Sequence, residues 1–208
     1  MRARSSIAAA LISAVTLCAC SSSTVTPAPS DGGGGDDGGG DVGDGGSATR
    51  RVTLSSQLGP GDESGVNDSA KCQLATQTWV VIGDNTHPVY DGATQTGMKV
   101  SVECRVAVEG SGFIVAGRAT LDTMGSVEIT GHFDPTGVQS AVHAVFTRGD
   151  TGSFVEDDCT ASYAANRIMG VAAGRVWATL TCPHATFSAQ SRTCLGTAEF
   201  RFENCSQK

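Results

Sequence analysis

The sequence predicts an all-β fold, an antiparallel β-sandwich or barrel-like domain with three disulfides, preceded by a disordered linker. Beyond Arg50, apolar and polar residues alternate with a period of two, and helical periodicity of useful length is absent. Turn residues separate the alternating segments at short intervals, which is typical of antiparallel sheets. Six cysteines lie in the same part of the chain, an even number that can pair completely.

The first twenty residues have the layout of an export signal. A basic start, Met1–Arg4, precedes a mainly apolar stretch of eleven residues, Ile7–Leu17, which is too short for a helix of about 20 residues that spans a bilayer. The run Leu17–Cys20 resembles the lipobox of bacterial lipoproteins. That resemblance implies cleavage before Cys20 and attachment of lipid to Cys20. An ordinary cleaved signal peptide is the alternative.

The signal motif predicts a place in the cell as well as a modification. Ser21 follows the cysteine where a retention signal for the inner membrane would put Asp. We therefore expect the protein in the cell envelope, anchored to the membrane by lipid, at the outer membrane or the cell surface. The predicted regions are a signal peptide at 1–19, a lipidated N-terminus with its linker at 20–49, and a disulfide-bonded β domain at 50–208.

The linker is rich in Ser and Pro at first and in Gly and Asp afterwards. Its 28 residues, Ser21–Ala48, have almost nothing to bury, so they cannot offset the entropy of ordering. A coil of this length spans about 30 Å. Calcium-binding glycine-aspartate repeats are the alternative, but they need an apolar residue in each turn and only Val42 is present. Such tethers resemble those of myxobacterial and related Gram-negative lipoproteins in composition.

The charge of the chain argues against nucleic acid as a partner. Residues 50–208 contain twelve basic and sixteen acidic residues, a net charge of -4, and the linker adds five aspartates. No basic stripe with interleaved aromatic residues is present, and an acidic surface repels phosphate backbones.

Eight segments beyond Arg50 are predicted to be strands. The clearest runs from Met98 to Val108, where the even positions are apolar and Cys104 lies on the core face. The others are Trp79–Ile82, Phe113–Leu121, Val127–Phe133, Val138–Phe146, Cys159–Tyr163, Gly174–Cys182 and Thr197–Phe202.

One hairpin is specified by its turn as well as by its alternation. Asp134–Gly137 has Pro at the second position and Gly at the fourth, as a type I turn prefers. If Asp134 faces Gly137, then Ile129 faces Val142 and His143 faces Glu128.

The domain cysteines are Cys72, Cys104, Cys159, Cys182, Cys194 and Cys205. In an exported chain three disulfides are expected, and the spacing does not favour a zinc site. Cys194 and Cys205 cannot pair across an extended strand, because eleven residues span up to about 36 Å. Cys182 and Cys194 bracket a connection between two strands that we expect to be neighbours, which favours a bridge between them. Sequence alone leaves the other connectivities open.

No catalytic, metal-binding or cofactor-binding motif is present, so we predict neither catalytic residues nor a cofactor. The four histidines are expected at the surface. The loop from Gly83 to Gly92 is a candidate binding loop, with Asp84, Tyr90 and Asp91 as its candidate residues. Paired carboxylates drawn from Glu156, Asp157, Asp84 and Asp91 would be needed for the alternative function, a small secreted hydrolase or carbohydrate-active enzyme.

Trp177 lies in an alternating segment whose core face carries Val176, Ala178 and Leu180. The indole is therefore predicted on the opposite face. It either belongs to a second buried layer or is exposed and available to a protein or glycan partner.

The order of Trp79–Gly83, the strand with Cys104 and the final Ala198–Cys205 is similar to the mycobacterial lipoprotein antigen family. That family combines a lipobox, a polar linker and a small β domain with a cysteine in an early strand and another in the last. The resemblance implies a bridge between Cys104 and Cys205, which leaves Cys72 with Cys159. It also implies a non-catalytic, surface-displayed antigen or interaction module.

Overall fold

The computed structural model describes residues 48–62, 64, 67–165, 167–187 and 189–208. The predicted signal peptide, Cys20 and almost all of the predicted linker lie outside the described residues. Among the described residues, no helix is both long enough and apolar enough to cross a membrane.

The described part of the chain contains twelve strands and one short 3-10 helix at Asp68–Ala70. The strands are β1 (Arg51–Gly59), β2 (Gln77–Ile82), β3 (Val89–Tyr90), β4 (Thr94–Gln95), β5 (Met98–Glu109), β6 (Gly112–Leu121), β7 (Gly125–Phe133), β8 (Val138–Arg148), β9 (Gly152–Ser162), β10 (Gly170–Ala172), β11 (Arg175–Phe187) and β12 (Arg192–Glu203).

These strands form one antiparallel sheet in the order β2-β1-β12-β11-β9-β8-β7-β6-β5-β4, with β3 beside β1 and β10 beside β11. The sheet curls into a nearly closed barrel. The segment after β12 lies along β5, on the other side of the barrel in strand order, and there Val106 donates its backbone N–H to the carbonyl of Ser206 at 2.8 Å. The predicted all-β antiparallel fold is confirmed, in its barrel-like form.

The period of two correctly predicts which side chains face the core. In β5, Val100, Val102, Cys104 and Val106 are buried, whereas Ser101, Glu103 and Arg105 are exposed. All eight predicted segments coincide with strands, except that Tyr163 and Gly174 lie one residue outside β9 and β11, and β9, β11 and β12 extend well beyond the predictions. The strands that the sequence reading missed are β1, β3, β4 and β10.

The predicted register of the β7–β8 hairpin is wrong by two residues. Ile129 pairs with Ala144 rather than Val142, and His143 pairs with Thr130 rather than Glu128. Two more residues lie on β8 than on β7 between the turn and these pairs, and Ala141 there has a positive φ of 54°. Because the shift is an even number of residues, the apolar face still points into the barrel.

Three disulfides connect the barrel. Cys104 is bonded to Cys205, with 4.9 Å between the α-carbons, so the pairing that the resemblance implied is confirmed. The other two predicted pairs, Cys182 with Cys194 and Cys72 with Cys159, are wrong. Cys72 is bonded to Cys194, and Cys159 is bonded to Cys182.

The error has a local cause in β11. Pro183 and His184 form a bulge, and the strand continues to Phe187 rather than ending in a loop after Cys182. Cys182 therefore sits in mid-strand opposite Gly196, and Cys159 of the neighbouring β9 is its bonding partner, at an α-carbon distance of 4.3 Å. Cys194 therefore forms its disulfide with Cys72, which lies in the segment between β1 and β2.

Glycines make room for the few aromatic rings of the core. Phe146, Phe200 and Phe202 are fully buried. A Cβ at Gly117 would lie 2.7 Å from the ring of Phe202, and a Cβ at Gly196 would lie 2.8 Å from the ring of Phe146. The rings thus occupy space that other side chains would fill, which builds a dense core from a sequence with few large residues.

Candidate functional site

Trp177 lies on the outer face of β11, between Gly170 of β10 and Arg201 of β12. Val176 and Ala178, its neighbours in the strand, are buried in the core, whereas the indole is only partly buried. The face predicted for Trp177 is therefore correct. Gly170 has no side chain, and no atom lies within 4 Å of the place where its Cβ would be, so the space beside this position is open.

Charged side chains hold the indole in place. The guanidinium of Arg201 lies 5.1 Å from the ring centre, in cation–π geometry. The indole N–H donates to Oε1 of Glu199 at 3.3 Å, and Nη1 of Arg167 donates to both oxygens of the same carboxylate at 2.7 and 2.8 Å. With its N–H and one face engaged, the ring has a fixed orientation.

A second ion pair network adjoins the first. Nη2 of Arg201 donates to Oε1 of Glu203 at 2.6 Å, and Nε of Arg51 lies 2.5 Å from Oε2 of the same carboxylate. Glu203 is almost fully buried, so both arginines neutralise a carboxylate that has lost most of its water. The outer surface of β11, β12 and β1 is therefore organised around two glutamates and their arginines.

A depression of about 470 Å³ lies against Trp177, and we call it the Trp177 groove. Its apolar wall includes Ile168, whose side chain is 93% exposed. Its lining combines apolar, aromatic and charged residues: Pro135, Ile168, Met169, Gly170, Val171, Arg175, Val176, Trp177, Arg201 and Glu203.

A hydrogen bond from Tyr163 anchors the turn that contributes Pro135 to the groove. The Tyr163 hydroxyl donates to the carbonyl of Asp134 at 2.8 Å, which joins the end of β9 to the turn that carries Pro135. Burial raises the pKa of Tyr163 to about 12, so the hydroxyl keeps its proton at physiological pH and remains a donor.

The surroundings of the groove are positively charged although the domain is negatively charged overall. Four arginines and three carboxylates lie in or beside it, a local charge of +1: Arg51, Arg167, Arg175, Arg201, Asp134, Glu199 and Glu203. Arg175 is exposed and makes no ion pair with any described residue. Its guanidinium is therefore available to an anionic ligand.

The predicted binding loop does not line the Trp177 groove but borders it, because Nη1 of Arg201 donates to the carbonyl of Asn85 at 3.5 Å. The carboxylates of the loop are engaged in local structure. Asp84 accepts the hydroxyl of Thr86 at 2.6 Å and the backbone N–H groups of Thr86 and His87, both at 2.8 Å. The hydroxyl contributes most to the lowered pKa of Asp84, and the backbone bonds add to it. Asp91 accepts the backbone N–H of Val102 at 2.9 Å. Tyr90 is half exposed and pairs with Arg51 across β3 and β1.

The carboxylates of the predicted enzymatic alternative are not brought together at a depression. Asp157 is exposed and bonded to His143 at 2.6 Å, while Glu156 next to it points into the sheet and is 8% exposed. None of the four residues, Asp84 and Asp91 included, lines the Trp177 groove or either of two smaller depressions in the described part of the chain.

Glu156 fills a gap between two bulged strands. Regular pairing of β9 with β11 is interrupted between Thr181 and Thr186, and there the backbone N–H of His184 donates to Oε2 of Glu156 at 2.8 Å. Burial raises the pKa of Glu156, although this hydrogen bond acts against the increase. The sulfurs of Cys159 and Cys182 lie beside this carboxylate. Because they are bonded to each other as a disulfide, they do not offer thiolate ligands to a metal.

The residues of the Trp177 groove were largely missed by the sequence reading, with Trp177 itself the exception. Arg201 alternates with the buried Phe200 and Phe202, which places it on the outer face, but its position beside Trp177 depends on the β11–β12 register. Ile168 lies in the connection before β10, a strand that was not predicted. A pairing of Trp177 with Arg201 could have been found only by aligning the last two strands correctly.

Comparison with known proteins gives the chain no relatives from which a function could be transferred. No protein-family model matches it, and neither a curated protein nor a solved structure shows significant similarity. The resemblance to mycobacterial lipoprotein antigens stays a prediction.

Proposed function

We propose that this chain is a lipid-anchored protein of the cell envelope that displays a non-catalytic β-barrel module for binding a partner. The lipobox-like run Leu17–Cys20 supports the anchor. The two chains of a diacylglyceryl group and one N-acyl chain on Cys20 would exceed the two membrane-binding groups that stable anchoring needs. The three disulfides support an oxidising compartment outside the cytoplasm.

The Trp177 groove is the observation on which the binding role depends. It combines an exposed aliphatic side chain, a fixed aromatic ring and an unpaired arginine on an otherwise polar sheet face. Such a mixture is typical of recognition surfaces, where aromatic and arginine side chains contribute most of the binding free energy. Its carboxylates, Glu199 and Glu203, both accept bonds from arginines, which supports a role in positioning rather than in acid-base chemistry.

The predicted location is the outer membrane or the cell surface, with Ser21 after the lipidated cysteine as its support. At either place the linker, spanning about 30 Å as a coil, would let the module reach partners beyond the bilayer. The possible partners are a protein or a glycan, and the sequence and the charge of the domain do not favour nucleic acid.

Replacing Cys20 with Ser tests the anchor. We expect Cys20→Ser to move the protein from the detergent-extracted membrane fraction to the soluble exported fraction, because the acyl chains would then have no attachment point. Cys18→Ser is the matched control, since Cys18 lies two residues earlier and should leave with the signal peptide. Fractionation followed by immunoblotting of both variants gives the result.

Two outcomes would contradict the anchor. Cys20→Ser that still needs detergent for extraction would show another means of membrane attachment. Release by Cys18→Ser with retention by Cys20→Ser would place the lipid on Cys18.

A ligand array probed with the soluble Cys20→Ser chain and with its Trp177→Ala derivative tests the binding role. The proposed role requires at least one ligand whose binding depends on Trp177.

A further inference from the structure

The strand beside Trp177 has an open edge. β10 pairs with β11 and with no other strand among the described residues. β9 and β10 both pair with the same side of β11, one after the other along it. β8 pairs with β9 and does not reach β10, because β8 begins at Val138, opposite Ser162 at the end of β9. No described strand therefore covers the outer edge of Gly170–Ala172, and a free edge is a template on which another extended chain can add.

The open edge coincides with the Trp177 groove. Gly170 and Val171 of β10 line it, and Pro135, in the turn before β8, also lines it. The missing side chain at Gly170 leaves space for a backbone to approach the strand. A chain lying along β10 would thus enter a depression that already exists, rather than one that must be opened.

The side chains around the edge indicate the composition of that chain. Ile168 is almost fully exposed and lies in the same lining as Trp177, so an apolar side chain of a partner would remove both from water. The exposed and unpaired Arg175 and the excess of arginine around the groove would attract carboxylates. Residues 50–208 carry a net charge of -4, so the arginine excess at the groove is opposite in sign to the charge of the domain and favours a negatively charged partner there.

A glycan fits the indole less well than a peptide does. The guanidinium of Arg201 lies over the ring of Trp177, and the indole N–H is donated to Glu199. This leaves less of the ring for a sugar to stack on. A sugar also has no regular series of amide groups to pair with the backbone edge of β10.

We propose that the Trp177 groove binds an extended acidic peptide segment that adds to the open edge of β10, with a carboxylate at Arg175 and an apolar side chain against Ile168 and Trp177. This inference rests on the proposed binding function and specifies its ligand class. The backbone pairing would supply affinity, and the two kinds of side chain would supply selectivity.

The experiment uses the full exported chain with Cys20→Ser, titrated with a capped synthetic hexapeptide of alternating Asp and Val. Isothermal titration gives the affinity, and backbone amide NMR shifts of Gly170–Ala172 give the location. We expect binding with shifts in β10. A peptide with Lys in place of Asp should not bind, and neither should the Asp-Val peptide with N-methylated amides, because it cannot pair with a strand edge.

Charge reversal at the groove separates specific binding from general attraction. We expect Arg175→Glu to weaken binding of the acidic peptide by about tenfold or more, since it places like charges together. Lys99→Glu is the matched control, because Lys99 is also an exposed basic strand residue without an ion pair to a described residue, and it lies on β5 opposite Thr94, outside the groove. Unchanged melting temperatures show that both variants are folded.

Each contrary result has a distinct meaning. Equal binding of the Lys peptide or of the N-methylated peptide, or equal weakening by Arg175→Glu and Lys99→Glu, would overturn the inference. So would Trp177-dependent binding of an acidic oligosaccharide in the absence of peptide binding, although that result would leave the proposed binding function in place. Trp177-independent binding of every ligand on the array would contradict the proposed function itself.

Discussion

The buried carboxylate of Glu156 connects β9 to β11 at the point where the backbone pairing of these two strands is interrupted. The side chain lies on the core face of β9 with Phe154 and Cys159, a position that an apolar residue would normally occupy. Its partner is the backbone N–H of His184, which the bulge in β11 has removed from regular pairing. The carboxylate therefore satisfies a donor that would otherwise remain without a protein partner.

The raised pKa of Glu156 makes its contribution to the free energy of unfolding depend on pH. Because the folded pKa lies above the unfolded value, the contribution to stability is complete below the unfolded pKa and is lost as pH rises through the folded pKa. Glu156→Gln has no proton to lose, so we expect it to gain stability relative to the native chain between about pH 4 and pH 7. Glu156→Ala lacks the acceptor and should cost about 1–3 kcal/mol.

Urea unfolding of the native chain and both variants at the two pH values measures these differences. Asp157→Asn is the matched control, because Asp157 is the exposed neighbour in the same strand. A stability difference between the native chain and Glu156→Gln that stays constant with pH would show that this carboxyl titrates alike in the folded and unfolded states.

Among the strands, two glycines of the neighbouring β6 and β7 differ in how closely the core packs against them. Gly117 in β6 leaves room for the ring of Phe202 in β12, which reaches it across the barrel. Gly131 in β7 also lies in a strand, but a Cβ there would have its nearest contact at an ordinary 3.4 Å. The two glycines thus differ in whether the core can accept a methyl group.

Alanine at these two positions tests the packing. We expect Gly117→Ala to destabilise the domain by about 1–3 kcal/mol, because the added Cβ overlaps the Phe202 ring and forces it to move. Gly131→Ala should be close to neutral. Thermal unfolding of both variants measures the effect, and equal stability of the two would show that the Phe202 ring does not pack on Gly117.

The strands and their buried faces could be predicted from local alternation, but pairings between strands could not. Two extra residues in β8, with Ala141 at a positive φ, shift the hairpin register although its turn residues agree with a tight turn. β1 was missed because Ser56 interrupts its apolar positions. The Ser56 hydroxyl donates to the carbonyl of Val80 and accepts the N–H of the same residue, both at 3.0 Å, which makes its burial acceptable.

At the scale of the whole molecule, the disulfides and the candidate site both depend on strand order. Cys72 and Cys194 are 122 residues apart, and neither local pattern nor spacing brings them together. The Trp177 groove is assembled from the turn before β8, the segment before β10, and three strands, β10 to β12. Trp177 itself could be identified from its strand face, whereas its arginine neighbours depend on the register of distant segments.

We propose that an exported, lipid-anchored chain carries this disulfide-bonded barrel, and the intact mass of the protein extracted from membranes decides whether it does. We expect a chain that begins at Cys20, carries the mass of a diacylglyceryl group and an N-acyl chain, and incorporates no thiol reagent under denaturing conditions before reduction. After reduction, the six cysteines of the barrel should become reactive. A chain that retains residues 1–19, starts at another residue without lipid, or reacts with the thiol reagent before reduction would contradict the account.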